Sequence, residues 1–208
     1  MGLRPVFREM GRRLASQGYT VLVPNPFYRS ATAAAIVAAG YNFGQPEGRT
    51  KLVGMRGAMS DVEGDARAYV AFLDAQPQTA KGRKVGVQGY CMGGPLSFQT
   101  AGAVPGRIGA VASFHGGGLV TSAPASPHLL IASTRAEYLV AVAQNDDASD
   151  PQAKTVLRQT FAETGRPATV EVYPANHGWC VPGAGAYDAA QAEKAWSELL
   201  AMYRRALV

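Results

Sequence analysis

The chain has 208 residues, 47% of them hydrophobic and 17% charged, with a formal net charge of +5. That length suits one domain with a sizeable core, expected to run over residues 1–208. The basic excess carries no nucleic-acid footprint: Arg12-Arg13 and Arg204-Arg205 read as solvated helix faces, and no basic run is interleaved with aromatics. Two cysteines, Cys91 and Cys180, without a CxxC pair argue against a disulfide framework and a zinc site, and fit a reducing compartment. No apolar run reaches transmembrane length. Residues 1–5 lead into an amphipathic segment rather than a signal core, and Val6 breaks the myristoylation pattern. The expectation is a cytoplasmic protein with no membrane or nucleic-acid partner, no metal and no cofactor, acting as a monomer or small homo-oligomer.

In chain order, Val6, Met10 and Leu14 at helical spacing predict an amphipathic helix from residue 5 to about 17, ended by Gly18. Tyr19–Val23, stopped by Pro24, reads as a buried strand. Residues 30–57 are rich in Ala and Gly and predict a variable loop or a small helical excursion. Asp61 is placed to cap a helix carrying Val62, Ala66, Tyr69, Val70 and Leu73. Strands and helices then alternate: strand 84–87, helix 93–102, strand 108–114, a Gly/Ser/Pro-rich loop over 116–136, and strand 138–143. Helix 151–164 follows, with Asp150 as N-cap and Pro151 at its first position. Strand 168–173, a Gly/Pro-rich loop over 174–186 and a helix over 187–206 complete the chain. Apolar strands alternating with helices predict an α/β fold: a mostly parallel sheet with helices on both faces, a three-layer sandwich.

The chemistry concentrates in Val85-Gly86-Val87-Gln88-Gly89-Tyr90-Cys91-Met92-Gly93-Gly94. A β-rich segment, a Gly-x-Cys-x-Gly turn and a helix former make a nucleophile-elbow pattern with cysteine as the nucleophile. The sharp turn requires small residues two before and two after Cys91, and Gly89 and Gly93 stand there. A helix N-terminus at the thiol favours thiolate. A phosphate-binding GxGxxG reading fails, because Gln88 or Cys91 occupies the required third glycine.

A nucleophile of this type needs a base and a group to orient it, in the order nucleophile, acid, histidine. His177, after a strand and before the last helix, is the expected base. His115 follows its strand too early for that role and reads as a pocket-lining or backbone-bonding residue. His128 reads as an exposed loop residue. Two carboxylates compete for the acid. Counting four back from Pro151 favours Asp147, and counting from the strand end favours Asp146; Asp146 is preferred because Asp150 already serves as a cap. Cys180 reads as a packed thiol.

On Gly89-Tyr90-Cys91-Met92-Gly93-Gly94, the Asp146/Asp147 turn and His177-Gly178-Trp179, with Arg8–Leu14, Gly18–Pro24 and Tyr28-Arg29 upstream, the chain resembles the dienelactone hydrolase family of the α/β-hydrolase superfamily. The resemblance implies a hydrolase of a small lactone or carboxylic ester that works through Cys91, Asp146 and His177 and a thioester acyl-enzyme. It also implies an oxyanion donor in the Met92 backbone N–H. Family members hold a substrate carboxylate with arginines; Arg29, Arg49 and Arg56 lie in the corresponding region without an alignable pattern, so no substrate-binding residue is assigned.

The resemblance further implies a central strand before the first helix, ending in a second oxyanion N–H and a glutamate on the resting cysteine. The chain starts at Met1-Gly2, where that strand should finish, and Glu9 falls inside the next helix. The expected fold is therefore N-terminally shortened. The alternative to a hydrolase is a truncated, catalytically impaired or non-enzymatic remnant.

Overall fold

The computed structural model describes residues 3–41 and 45–208. Met1-Gly2, where the upstream strand was expected to end, and residues 42–44 of the Ala/Gly-rich stretch lie outside the described residues. The chain divides after Thr79 into two compact units.

In the first unit, α1 spans Pro5–Ala15 and buries Leu14. Glu9 sits within it, paired on the surface with Arg12. The Ala/Gly-rich stretch is a helical excursion, α2 over Ala33–Ala38 and α3 over Pro46–Gly57. Helix α4, Val62–Asp74, starts where Asp61 accepts a hydrogen bond from the Gly64 N–H at 2.8 Å, the expected cap. The predicted strand at Tyr19–Val23 is not formed; the segment is irregular. A strand is defined by its ladder, and β-branched residues alone do not supply one. Val21 and Val23 instead lie against Gly11 of α1, where an added Cβ would come within 2.8 Å of Val23.

The second unit carries four parallel strands in the order β1-β2-β3-β4: Val85–Tyr90, Ile108–Phe114, Glu137–Ala143 and Ala168–Tyr173. The first strand starts one residue later than predicted and runs on to the residue before Cys91. Every residue of β2 is buried, as expected of an inner parallel strand.

Helices cover both faces. On one side α5, Gly93–Ala103, and α7, Pro151–Thr164, pack with a 3₁₀ helix, Pro127–Ser133, that sits within the loop predicted over 116–136. Tyr138 anchors that layer, its ring against Phe98 and Phe161 and its hydroxyl 2.8 Å from the Thr134 Oγ1. On the other side lies α8, Ala189–Ala206. Its Glu198 accepts from the Tyr173 hydroxyl, and its Tyr203 hydroxyl donates to Gln88 at 3.0 Å. Gly86 makes room for that tyrosine, since a Cβ there would come within 2.7 Å of its ring. Helix, sheet and helix are the three layers of the predicted α/β sandwich.

Two local expectations are corrected. Asp150 stands at the N-cap of α7, but its side chain makes no capping hydrogen bond. A short helix that the sequence did not signal, α6 over Gln144–Ser149, fills the step between β3 and α7. Among the described residues, no helix is long and apolar enough to cross a membrane.

Candidate active site

Parallel strands deliver their C-terminal ends to one edge of the sheet, where ligands of α/β folds gather. Cys91 stands there between β1 and α5 at φ 55°, a conformation that ordinary side chains rarely adopt. Its N–H donates to the Phe114 carbonyl at 3.1 Å, pinning the elbow to β2. Gly89 is required by close approach: a Cβ there would lie 1.8 Å from the Gly93 carbonyl oxygen. The second required glycine is Gly94 rather than the expected Gly93. A Cβ on Gly94 would meet the Ser113 hydroxyl at 2.4 Å and the Gly116 Cα at 2.7 Å, whereas one on Gly93 meets nothing within 4 Å. The helix therefore closes on β2 one residue later than the motif suggests.

His177 reaches the site from the loop after β4. Its Nδ1 is 2.7 Å from the Asp146 Oδ2, and its side chain is hydrogen-bonded to Cys91. With Nδ1 taken by the carboxylate, Nε2 is the nitrogen left for the thiol. Three further bonds fix the loop. The His177 N–H donates to the Asn145 Oδ1 at 2.7 Å, the Gln144 N–H to the Ala175 carbonyl at 3.0 Å, and the Gln144 Nε2 to the Asn176 Oδ1 at 3.1 Å. Asn145 thus ties down the backbone of His177, a contact that sequence reading passed over; its signal was its place beside the two aspartates.

Asp146 and Asp147 are adjacent on α6 yet separate completely. Asp146 contacts His177, and Asp147 is held by the Lys154 ammonium at 2.6 and 2.7 Å.

The electrostatics follow from this placement. Burial pushes the Cys91 thiol up, but the hydrogen bond and charge of His177, with a hydrogen bond from the Met92 N–H, bring it below its ordinary value. His177 is raised to about 9, first by Cys91 and then by Asp146, against the opposing effect of burial. Each group favours the charged form of the other.

His115, at the tip of β2, is 2% exposed, and its ring centroid lies 4.7 Å from that of His177. Burial, and then the charge of His177, depress it to about 3. Trp179, fully buried, meets the His115 ring edge-on at 5.1 Å and stacks on Tyr173 at 5.0 Å.

The remaining candidates have other partners. His128 is tied into the 3₁₀ segment rather than exposed, its Nδ1 2.7 Å from the Ser126 hydroxyl and its N–H on the Leu119 carbonyl. Cys180 is buried, and burial pushes its thiol well up, as a packed cysteine requires. Arg29 is engaged in the first unit. It forks onto Asp65 at 2.5 and 2.9 Å, beside a 2.8 Å bond from the Tyr28 hydroxyl to the same carboxylate. Arg49 and Arg56 lie on α3. Among the described residues no cluster of His, Cys, Asp and Glu is arranged to hold a metal ion.

A three-layer parallel α/β sandwich with a residue at positive φ between strand and helix is an α/β-hydrolase-like fold. The sequence model of the dienelactone hydrolase family matches residues 1–207, and the chain belongs to that family. It is 27% identical over 212 residues to a Synechocystis protein named "Putative carboxymethylenebutenolidase", a match covering 99% of this chain and 82% of that protein. A carboxymethylenebutenolidase of Rhodococcus opacus is 25% identical over 83% of this chain and 63% of its own length. Among solved structures, a dienelactone hydrolase-like promiscuous phosphotriesterase from metagenomic libraries superposes with a TM-score of 0.76, at 22% identity over 100% of this chain and 83% of that one. This last likeness speaks for the fold alone. Family membership places the chain among hydrolases of lactones and esters, with a small molecule as substrate.

Proposed function

We propose that the chain, read as one hydrolase domain, cleaves a small lactone or carboxylic ester with Cys91 as nucleophile, His177 as acid and base, and Asp146 as the group that orients His177. The observation that carries this reading is the continuous link of Asp146 to the His177 Nδ1 and of His177 to Cys91.

The thiolate attacks the acyl carbon, and the carbonyl electron pair moves onto oxygen. The Met92 N–H, hydrogen-bonded to the resting sulfur, lies beside the new oxyanion as a donor. Such a donor typically lowers the barrier by about 3–4 kcal/mol. Collapse expels the alkoxide, which takes the proton of His177, and a thioester remains. The sulfur now carries no charge, so the largest cause of the high His177 pKa is gone. His177 falls toward its ordinary range and changes from acid to base. It removes a proton from water as water attacks the thioester, and expulsion of sulfur releases the carboxylic acid and restores the ion pair.

Turnover of aryl esters and of dienelactone by wild type, Cys91→Ala and His177→Ala tests the reading. Loss in both variants, with a thioester adduct trapped on the Cys91 peptide of the wild type, is the expected result. Unchanged turnover in either variant overturns it.

A further inference from the structure

Resting on the ion-pair reading above, we propose that His115 is a positioning residue for the Cys91–His177 pair, its buried imidazole packed against both Trp179 and His177 so that its face holds the His177 ring between Asp146 and Cys91.

The geometry has three parts. First, His115 is built into place at a cost. It stands at φ 43° without being glycine, and its N–H is tied to the Ala141 carbonyl of β3 at 2.8 Å. The same β3 runs on into α6, which carries Asn145 and Asp146. Ring and carboxylate are thereby referred to one strand. Second, the ring has no other evident task. It is 2% exposed, and neither Nδ1 nor Nε2 has a hydrogen-bond partner among the protein groups.

Third, its neighbours suit an aromatic base plate. Trp179 closes one side edge-on, Tyr90 lies at 6.1 Å, and the His177 ring lies at 4.7 Å with its plane tilted by 57°. An aromatic face within about 6 Å attracts a cation, more so when the contact is desolvated. His115 fulfils this only as a neutral ring, because a second cation at that distance would repel the first. Burial keeps it neutral across the neutral range.

The other titratable groups on His177 are Cys91 from the elbow and Asp146 from α6. The neighbouring Asp147 is neutralised by Lys154 of α7, and Cys180 on the same loop is a buried thiol.

The test reads the ion pair directly, by iodoacetamide alkylation of the full chain as a function of pH, followed by the mass of the Cys91 peptide. His115→Leu keeps comparable bulk without an aromatic face, and His115→Phe restores the face. The Leu variant is expected to move the alkylation midpoint to higher pH and slow the reaction at pH 7 about fivefold to tenfold. Its kcat should fall with KM unchanged, while the Phe variant stays within about twofold of wild type. His115→Gln replaces the Leu variant where melting shows the latter unfolded. A wild-type alkylation profile in folded Leu or Gln variants, with His177→Ala shifted upward, overturns the role of His115 alone. A wild-type profile in His177→Ala overturns the ion pair and this inference with it.

Discussion

Two imidazoles stand at the C-terminal ends of β2 and β4 with ring centroids 4.7 Å apart, and they are driven in opposite directions. His177 is raised to about 9 and His115 is depressed to about 3. Residue type, sheet edge and neighbourhood are shared. The difference is that His177 meets a carboxylate and a thiol through its nitrogens, whereas His115 meets only ring faces, ring edges and backbone. Partners at the nitrogens favour the charged ring at one position, and burial favours the neutral ring at the other.

The sharpest way to break this contrast is to delete one ring at a time. His177→Ala is expected to lower kcat at least about a thousandfold, since it removes acid, base and thiolate partner at once. His115→Phe is expected to leave kcat within about twofold, because the face is kept. Equal losses in ester-hydrolysis assays would erase the distinction between the two positions.

Next in size is the carboxylate. Asp146→Asn leaves the shape but takes the charge from the His177 Nδ1, and a loss of about 10²–10⁴ in kcat is expected. Asp147→Asn breaks an ion pair with Lys154 of α7, so kcat should change less than about threefold. If the two variants lose equally, orientation through the 2.7 Å contact is not what sets His177 apart.

Removing the thiol sharpens the comparison further. Cys91 is the largest single cause of the raised His177 pKa, so in Cys91→Ala the His177 resonance should titrate below the value of about 9. His115 should stay depressed, because burial is its first cause. Imidazole proton shifts followed by NMR across pH 4–10 separate the two rings. A His177 titration unmoved by the substitution would mean that Asp146 alone holds the proton, and the acid-to-base change on acylation would lose its cause.

How far these positions were legible in the sequence depends on the range of the interaction that fixes them. Cys91 and Gly89 belong to one local turn whose sterics are written in adjacent residues, and β2, α7 and β4 coincide with their predicted spans because apolar runs bounded by turn residues set them. The requirement at Gly94 was expected at Gly93 because its constraint comes from Ser113 and Gly116, 19 and 22 residues further on. Helix α6 is six polar and small residues with no apolar periodicity to announce it. The contact of His115 with His177 spans β2 to β4 across the intervening β3, and no spacing encodes it. At Tyr19–Val23 the error ran the other way: a strong local β signal met no ladder partner, and tertiary pairing outweighed propensity.

The smallest expected effect is on stability, and the two histidines should oppose each other there as well. His115 has a folded pKa of about 3 against an ordinary value of 6.5. Between those limits the unfolded chain binds a proton that the folded chain refuses, so stability falls as pH drops from about 6.5 toward 3. For His177 the folded value lies above the unfolded one. Its contribution is fully present below about 6.5 and is lost as pH rises through about 9. His115→Phe removes only the first slope. Wild type should therefore lose melting temperature relative to the variant by roughly 3–5 °C per unit of pH below 6.5, while the two curves run parallel between pH 7 and 10. Thermal melts by circular dichroism at half-unit pH steps read both limbs. Parallel curves on the acid side as well would mean that the folded chain takes up the proton at His115, and a ring that accepts a proton beside the His177 imidazolium cannot be the neutral face on which that imidazolium rests.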